Sequence, residues 1–106
     1  MPKYLIEGHY TAEGTKGLVH EGGVGRRSAV AKMADAVGGR LDSFYFAFGG
    51  VDVFAVIDVP DNVTAAAVGL AVNQAGSVAI KTTVLITPEE IDQAAKKAVS
   101  YRPPGR

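Results

Sequence analysis

Apolar and polar positions along the chain follow two periods, and each change of period marks an element. The stretch from Lys3 to Tyr10 is rich in β-formers and predicts a first strand, which stops at Thr11-Ala-Glu-Gly14, a turn or helix start. A brief helical turn around Leu18 and Val19, between Lys16 and Glu21, is interrupted by Gly22-Gly23-Val24-Gly25, because glycine is entropically unfavourable in a helix. Val30, Met33, Ala34 and Val37 then recur at helical spacing, with Arg26, Arg27, Lys32 and Asp35 mostly off the stripe. A helix over about Arg26–Val37 follows, ended by Gly38-Gly39.

Leu41 to Phe48 and Val51 to Asp58 are aromatic and β-branched runs on either side of Gly49-Gly50, the pattern of a β-hairpin. Pro60 stops the second run, and Asp61 caps a helix from about Asn62 to Ala75, whose alanines make a smooth surface that Gly76 ends. Ser77 to Ile86 reads as a fourth strand. Thr87-Pro88-Glu89-Glu90 is the sharpest local signal: an N-cap, a proline at the first helical position and a glutamate able to close a capping box. The last helix carries Ile91, Ala94, Ala95 and Ala98 on one stripe, and the proline-rich tail at residues 102–106 cannot continue it.

Strand, helix, strand, strand, helix, strand is the split βαβ order of a ferredoxin-like α+β fold, with a four-stranded antiparallel sheet, helices on one face and here an extra C-terminal helix. The other face of the sheet needs cover. Phe44, Phe46 and Phe48 are expected to point one way and Leu41, Tyr45 and Ala47 the other, so both faces carry apolar surface and a second copy of the sheet is the simplest cover. The expected partner is therefore the chain itself, as a homodimer or higher oligomer, with the tail packed across the neighbouring subunit.

Composition narrows the functional classes. The 106 residues suit a single domain, residues 1–106, and 47% hydrophobic with 21% charged residues is ordinary for a chain that folds. Eleven Lys+Arg balance eleven Asp+Glu, so no field is available to attract a nucleic-acid backbone or an anionic membrane, and neither partner is expected. The absence of cysteine removes disulfides, thiolate metal sites and a cysteine nucleophile together. Met1-Pro2-Lys3-Tyr4 does not open a signal peptide and no run is long enough to cross a bilayer, so the expected location is cytoplasmic.

Several of these residues together resemble the GYD-domain family of small ferredoxin-like proteins grouped with the dimeric α+β barrels. They are Tyr10-Thr11 followed by Gly14, Gly38-Gly39, Phe44-Tyr45-Phe46 leading to Gly49-Gly-Val-Asp52, Asp58-Val-Pro-Asp61, Thr82-Thr83 and Leu85-Ile-Thr-Pro-Glu-Glu90. The resemblance covers nearly the whole chain and implies a dimeric barrel fold, without an established chemistry. The name-giving Gly-Tyr-Asp reads Gly50-Val51-Asp52 here, so a role for that phenol does not carry over.

The candidate chemistry lies on the sheet. Glu7 and His9 are two apart in the first strand and share a face, where the carboxylate can orient the imidazole; Lys81 with Thr83, and Tyr45, are expected to join them between two sheets. The competing reading makes Glu7 and Lys81 a pair at a sheet edge or dimer rim, with His9 a satisfied interfacial residue. Gly23-Val-Gly25-Arg-Arg27 places two cations at a helix start, where Arg27 is a candidate anion contact. His20 and Glu21 lack the spacing of a helical zinc site, and no metal or other cofactor is expected. Asp52 at the hairpin fits a turn residue better than a ligand. With no complete catalytic constellation, the best-fitting function is a small-molecule-binding or regulatory module for a small organic ligand. The alternatives are a cofactor-independent oxygenase or isomerase acting on an aromatic or polyketide-like molecule in a cleft between sheet and helices, and a structural assembly subunit.

Overall fold

Eight elements follow one another in the computed structural model, which describes residues 1–106: β1 (Lys3–Tyr10), α1 (Ala12–Glu21), α2 (Gly23–Ala36), β2 (Arg40–Phe46), β3 (Val53–Asp58), α3 (Asn62–Ala75), β4 (Val78–Leu85) and α4 (Pro88–Ala95). The strands form one antiparallel sheet in the order β2-β3-β1-β4, which with this element order is the ferredoxin-like arrangement with a C-terminal helix.

Two helices are longer than their sequence pattern predicts. Ten-residue α1 replaces the expected brief turn, because Thr11 caps it, accepting from Gly14 N–H at 3.1 Å, while Thr11 N–H and Oγ1 both hold the Ser77 carbonyl at the start of β4. Helix α2 starts at Gly23 and not at Arg26. The break between helices is Gly22 alone, at φ 86°, and the next two glycines are absorbed into the first helical turn. The expected capping box forms at Thr87 and Glu90, yet α4 ends at Ala95, before Ala98.

Register fixes what each sheet face carries. Tyr4, Ile6 and Gly8 of β1 lie opposite Ile57, Ala55 and Val53 of β3, and these residues face the helices. Tyr4, Ile57, Val59 and Ala65 form the buried centre, with the Tyr4 hydroxyl donating to Asn62 Oδ1 at 2.6 Å. Leu41 packs against this centre and so shares the helix face with Phe44 and Phe46, contrary to the alternation expected of β2. The cause is a register shift between Leu41 and Ser43, where Asp42 is the extra residue and reverses the strand's alternation. Phe48 lies beyond β2 and is fully exposed on the hairpin.

At one end of the opposite face a charge cluster joins three strands. The Asp58 side chain, 8% exposed, accepts from Lys3 Nζ at 2.8 Å and Arg40 Nε at 3.1 Å, and Asp42 lies within 3.8 Å of both cations. The hydrogen bond from Lys3, reinforced by Arg40 and opposed by desolvation, holds the Asp58 carboxyl below its ordinary value. A lowered folded value means that the stabilisation is complete above the unfolded carboxylate pKa, near about 4, and is lost as pH falls through the folded value. Asp58→Asn is expected to remove about 1–2 kcal/mol at pH 7, the lower part of the range for charged hydrogen bonds because Lys3 and Arg40 are partly in water. Urea midpoints measured from pH 2 to 7 should show a shallower acid limb in the variant; an unchanged limb would assign acid sensitivity elsewhere.

Helix α4 stands off the body. It makes no substantial contact with any other element, and every residue from Ile86 to Arg102 is exposed. The radius of gyration is accordingly 16.9 Å, against about 13 Å for a compact chain of this length.

Candidate functional site: a cleft between sheet and helices

Helix α2 rests on β2 and α3 rests on β4, and the two helices stand apart over the middle of the sheet. The gap is a cleft of about 390 Å³, lined by 20 residues of which 15 are hydrophobic. Its volume comes from small residues at the positions that face it: Gly14 and Gly17 on α1, Ala55 on β3, and Ala71 and Ala75 on α3. Sealed and dry, such a volume would cost about 9 kcal/mol, comparable with the whole stability of a small domain. The cleft is open, and its size suits a small organic molecule.

Polar groups gather at the mouth. Tyr10 ends β1, Glu21 ends α1 and Arg26 lies in the first turn of α2, so the turn at Gly22 brings three elements together there. Arg26 Nη1 lies 3.5 Å from Glu21 Oε1, both side chains 38% exposed. The Tyr10 ring continues an aromatic wall, 6.5 Å from Phe46, which meets Phe44 edge-on at 5.2 Å. Burial pushes the Tyr10 phenol above its ordinary value, with Arg26 pulling the other way and Glu21 and Asp52 adding to the rise. The phenol therefore stays protonated at neutral pH, a hydrogen-bond donor and a poor base.

The sheet residues expected to form a site share one face, on the other side of the sheet, where they spread from one edge strand to the other. Tyr45, Phe54, Glu7 and Lys81 make one row across the four strands, and His9 follows opposite Ala79. Glu7 faces Lys81 in register without a salt bridge, the ion pairs of that face being those around Asp58. None of Glu7, His9, Tyr45 and Lys81 lines the cleft. Arg27 meets Tyr45 instead at a shallower hollow of about 310 Å³ on the edge of β2, with Gly23, Val24, Phe44 and Phe46.

The family model for the GYD domain matches residues 4–95. The chain belongs to the GYD-domain family. No curated protein and no solved structure matches it. Several of its GYD-like residues have a structural role. Thr11 caps α1, Gly14 and Gly39 give way to the carbonyl oxygens of Ser77 and Asp58, Asp58 holds two cations, and Thr87 and Glu90 close the capping box. Asp52 bonds backbone, as expected of a turn residue, but at long range: its carboxylate accepts from Tyr10 N–H at 2.9 Å. This holds the end of β1 where the Tyr10 side chain enters the cleft, with Val51 beside Asp52 in the GYD domain's motif position.

The sequence pattern offers Glu21 only beside His20 and Arg26 only beside Arg27 at a helix start, and does not join either to Tyr10. One signal was present: Arg26, Val30 and Met33 are spaced i, i+4, i+7, so Arg26 shares the inward stripe of α2 that the apolar residues mark. Tyr10 also alternates with Ile6 and Gly8 on the helix face.

Proposed function

We propose that this GYD-domain protein is a homo-oligomeric module that binds a small, largely apolar organic molecule in the cleft between its sheet and its helices. The observation that carries the reading is the cleft: 15 hydrophobic residues among 20, with charged groups confined to the mouth. Binding is favoured over catalysis because the titratable groups lining the cleft are a phenol held protonated and a carboxylate beside a guanidinium. They provide orientation and no free base.

Self-association is supported by the face the helices leave bare. Leu5, Phe54 and Val56 sit at its centre, and the protein exposes 7481 Å² where a folded monomer of this size exposes about 5,600 Å². The excess exceeds the roughly 800 Å² per partner of an ordinary interface. In that dimer Glu7, His9, Tyr45 and Lys81 form a polar patch between two sheets.

Val72→Trp tests the cleft. Val72 is half-buried on α3 and lines the cavity, so an indole there occupies ligand space without disturbing the Tyr4 centre. Titration with the neutral fluorophore N-phenyl-1-naphthylamine should show affinity reduced more than tenfold, with the melting temperature unchanged or raised. Equal affinity in variant and parent would remove the cleft as the binding site.

A further inference from the structure

The mouth of the cleft carries unspent hydrogen-bond donors beside one loosely held carboxylate. Arg26 has five N–H donors, and its contact with Glu21 at 3.5 Å is longer than the about 2.7–2.9 Å of a charge-assisted hydrogen bond. Glu21 lies back over the first turn of α2, where a Cβ added to Gly25 would meet its Cγ at 3.0 Å. Both side chains line the cleft and are equally exposed, so the guanidinium is as accessible from the cleft as the carboxylate. The backbone N–H of Tyr10 is held by Asp52, and its hydroxyl donates to nothing in the chain. Both side-chain donors favour an acceptor, and they stand at the polar end of an otherwise apolar space.

We infer that the ligand of this cleft is an acidic apolar molecule, its hydrocarbon or aromatic body against the sheet and its single anionic group received at the mouth by Arg26 and the Tyr10 hydroxyl. The inference rests on the cleft being the binding site. It assigns a charge to the ligand and roles to two residues: Arg26 supplies charge and paired donors, and Tyr10 supplies one neutral donor beside it. An arriving anion replaces Glu21 as the partner of the guanidinium, so Glu21 competes with it.

Two probes that share a ring system separate the possibilities. The sulfonated 8-anilinonaphthalene-1-sulfonate and the neutral N-phenyl-1-naphthylamine are titrated into the intact protein and into Arg26→Gln, Tyr10→Phe and Glu21→Gln. The parent should bind the anionic probe more tightly than the neutral one. The ratio of anionic to neutral affinity should fall at least tenfold in Arg26→Gln, severalfold in Tyr10→Phe, and rise in Glu21→Gln. Binding of the neutral probe doubles as evidence that each variant is folded. If the parent binds the neutral probe without preferring the anion, or if the ratio does not move in Arg26→Gln, the acidic ligand is overturned while the cleft stands. If neither probe binds the parent, or Val72→Trp leaves both affinities intact, the cleft reading falls and this assignment falls with it.

Discussion

Gly14→Ala should lower the stability of this protein by about 3 kcal/mol or more, a fall in Tm on the order of 15 °C for a chain of this length. A Cβ at Gly14 would overlap the Ser77 carbonyl oxygen, and neither group has a flexible end that can move aside. That carbonyl already accepts from Thr11 N–H at 3.1 Å and Thr11 Oγ1 at 3.2 Å, so displacing it breaks the attachment of α1 to the start of β4. The same helix supplies the control. A Cβ at Gly17 meets nothing within 4 Å, and Gly17→Ala should stabilise the protein by about 0.5–1 kcal/mol through helix propensity alone. Opposite signs at two glycines three residues apart, measured by thermal and urea unfolding, would follow from close approach at one of them. Equal small effects would mean that α1 is loosely held.

Val56→Glu should weaken self-association by about two orders of magnitude, the scale expected for an unpaired charge buried in an interface. Val56 lies on the bare face between Leu5 of β1 and Ser43 of β2, one row from Phe54 and Tyr45. In a two-fold dimer each copy contributes the substitution, so two like charges meet the same apolar centre. Sedimentation at micromolar concentration should show dimer for the parent and monomer for the variant. A monomeric parent would remove the homodimer; a dimeric variant would move the interface off this face, with the exposed helix α4 the next surface to examine.

The two faces of the sheet then divide the work. In the proposed reading the bare face, which carries Glu7, His9, Tyr45 and Lys81, joins copies, and the cleft on the helix face takes the ligand. Asp52 links them through backbone: its N–H donates to Gly8 O and its carboxylate accepts from Tyr10 N–H, fixing the hairpin against the end of β1 at the cleft mouth. A substitution at Asp52 should therefore disturb Tyr10 before it disturbs the sheet.

Features set by a few neighbouring residues were legible in the sequence. Thr87, Pro88 and Glu90 specify a helix start wherever they occur, Asp61 caps α3 as read, and alternation in β1 correctly put Glu7 with His9 on one face, because side chains of a strand point to opposite sides in turn. The order of strands and helices implied the ferredoxin-like sheet for the same reason. Leu41 shows where local reading stops: nothing in Leu-Asp-Ser announces that Asp42 will be passed over, since a bulge is decided by the partner strand and by the cavity Leu41 fills. Arg26 and Arg27 are neighbours in the sequence, yet about 100° of helical rotation sends one to the cleft and the other to the edge of β2, and the start of α2 had to be known to tell them apart. The cleft itself is written in Gly14, Gly17, Ala55, Ala71 and Ala75, on three elements whose small side chains read separately as easy helix packing or weak strand. A cavity is the volume left when distant segments meet without filling the space between them, and that volume belongs to no one segment of the chain.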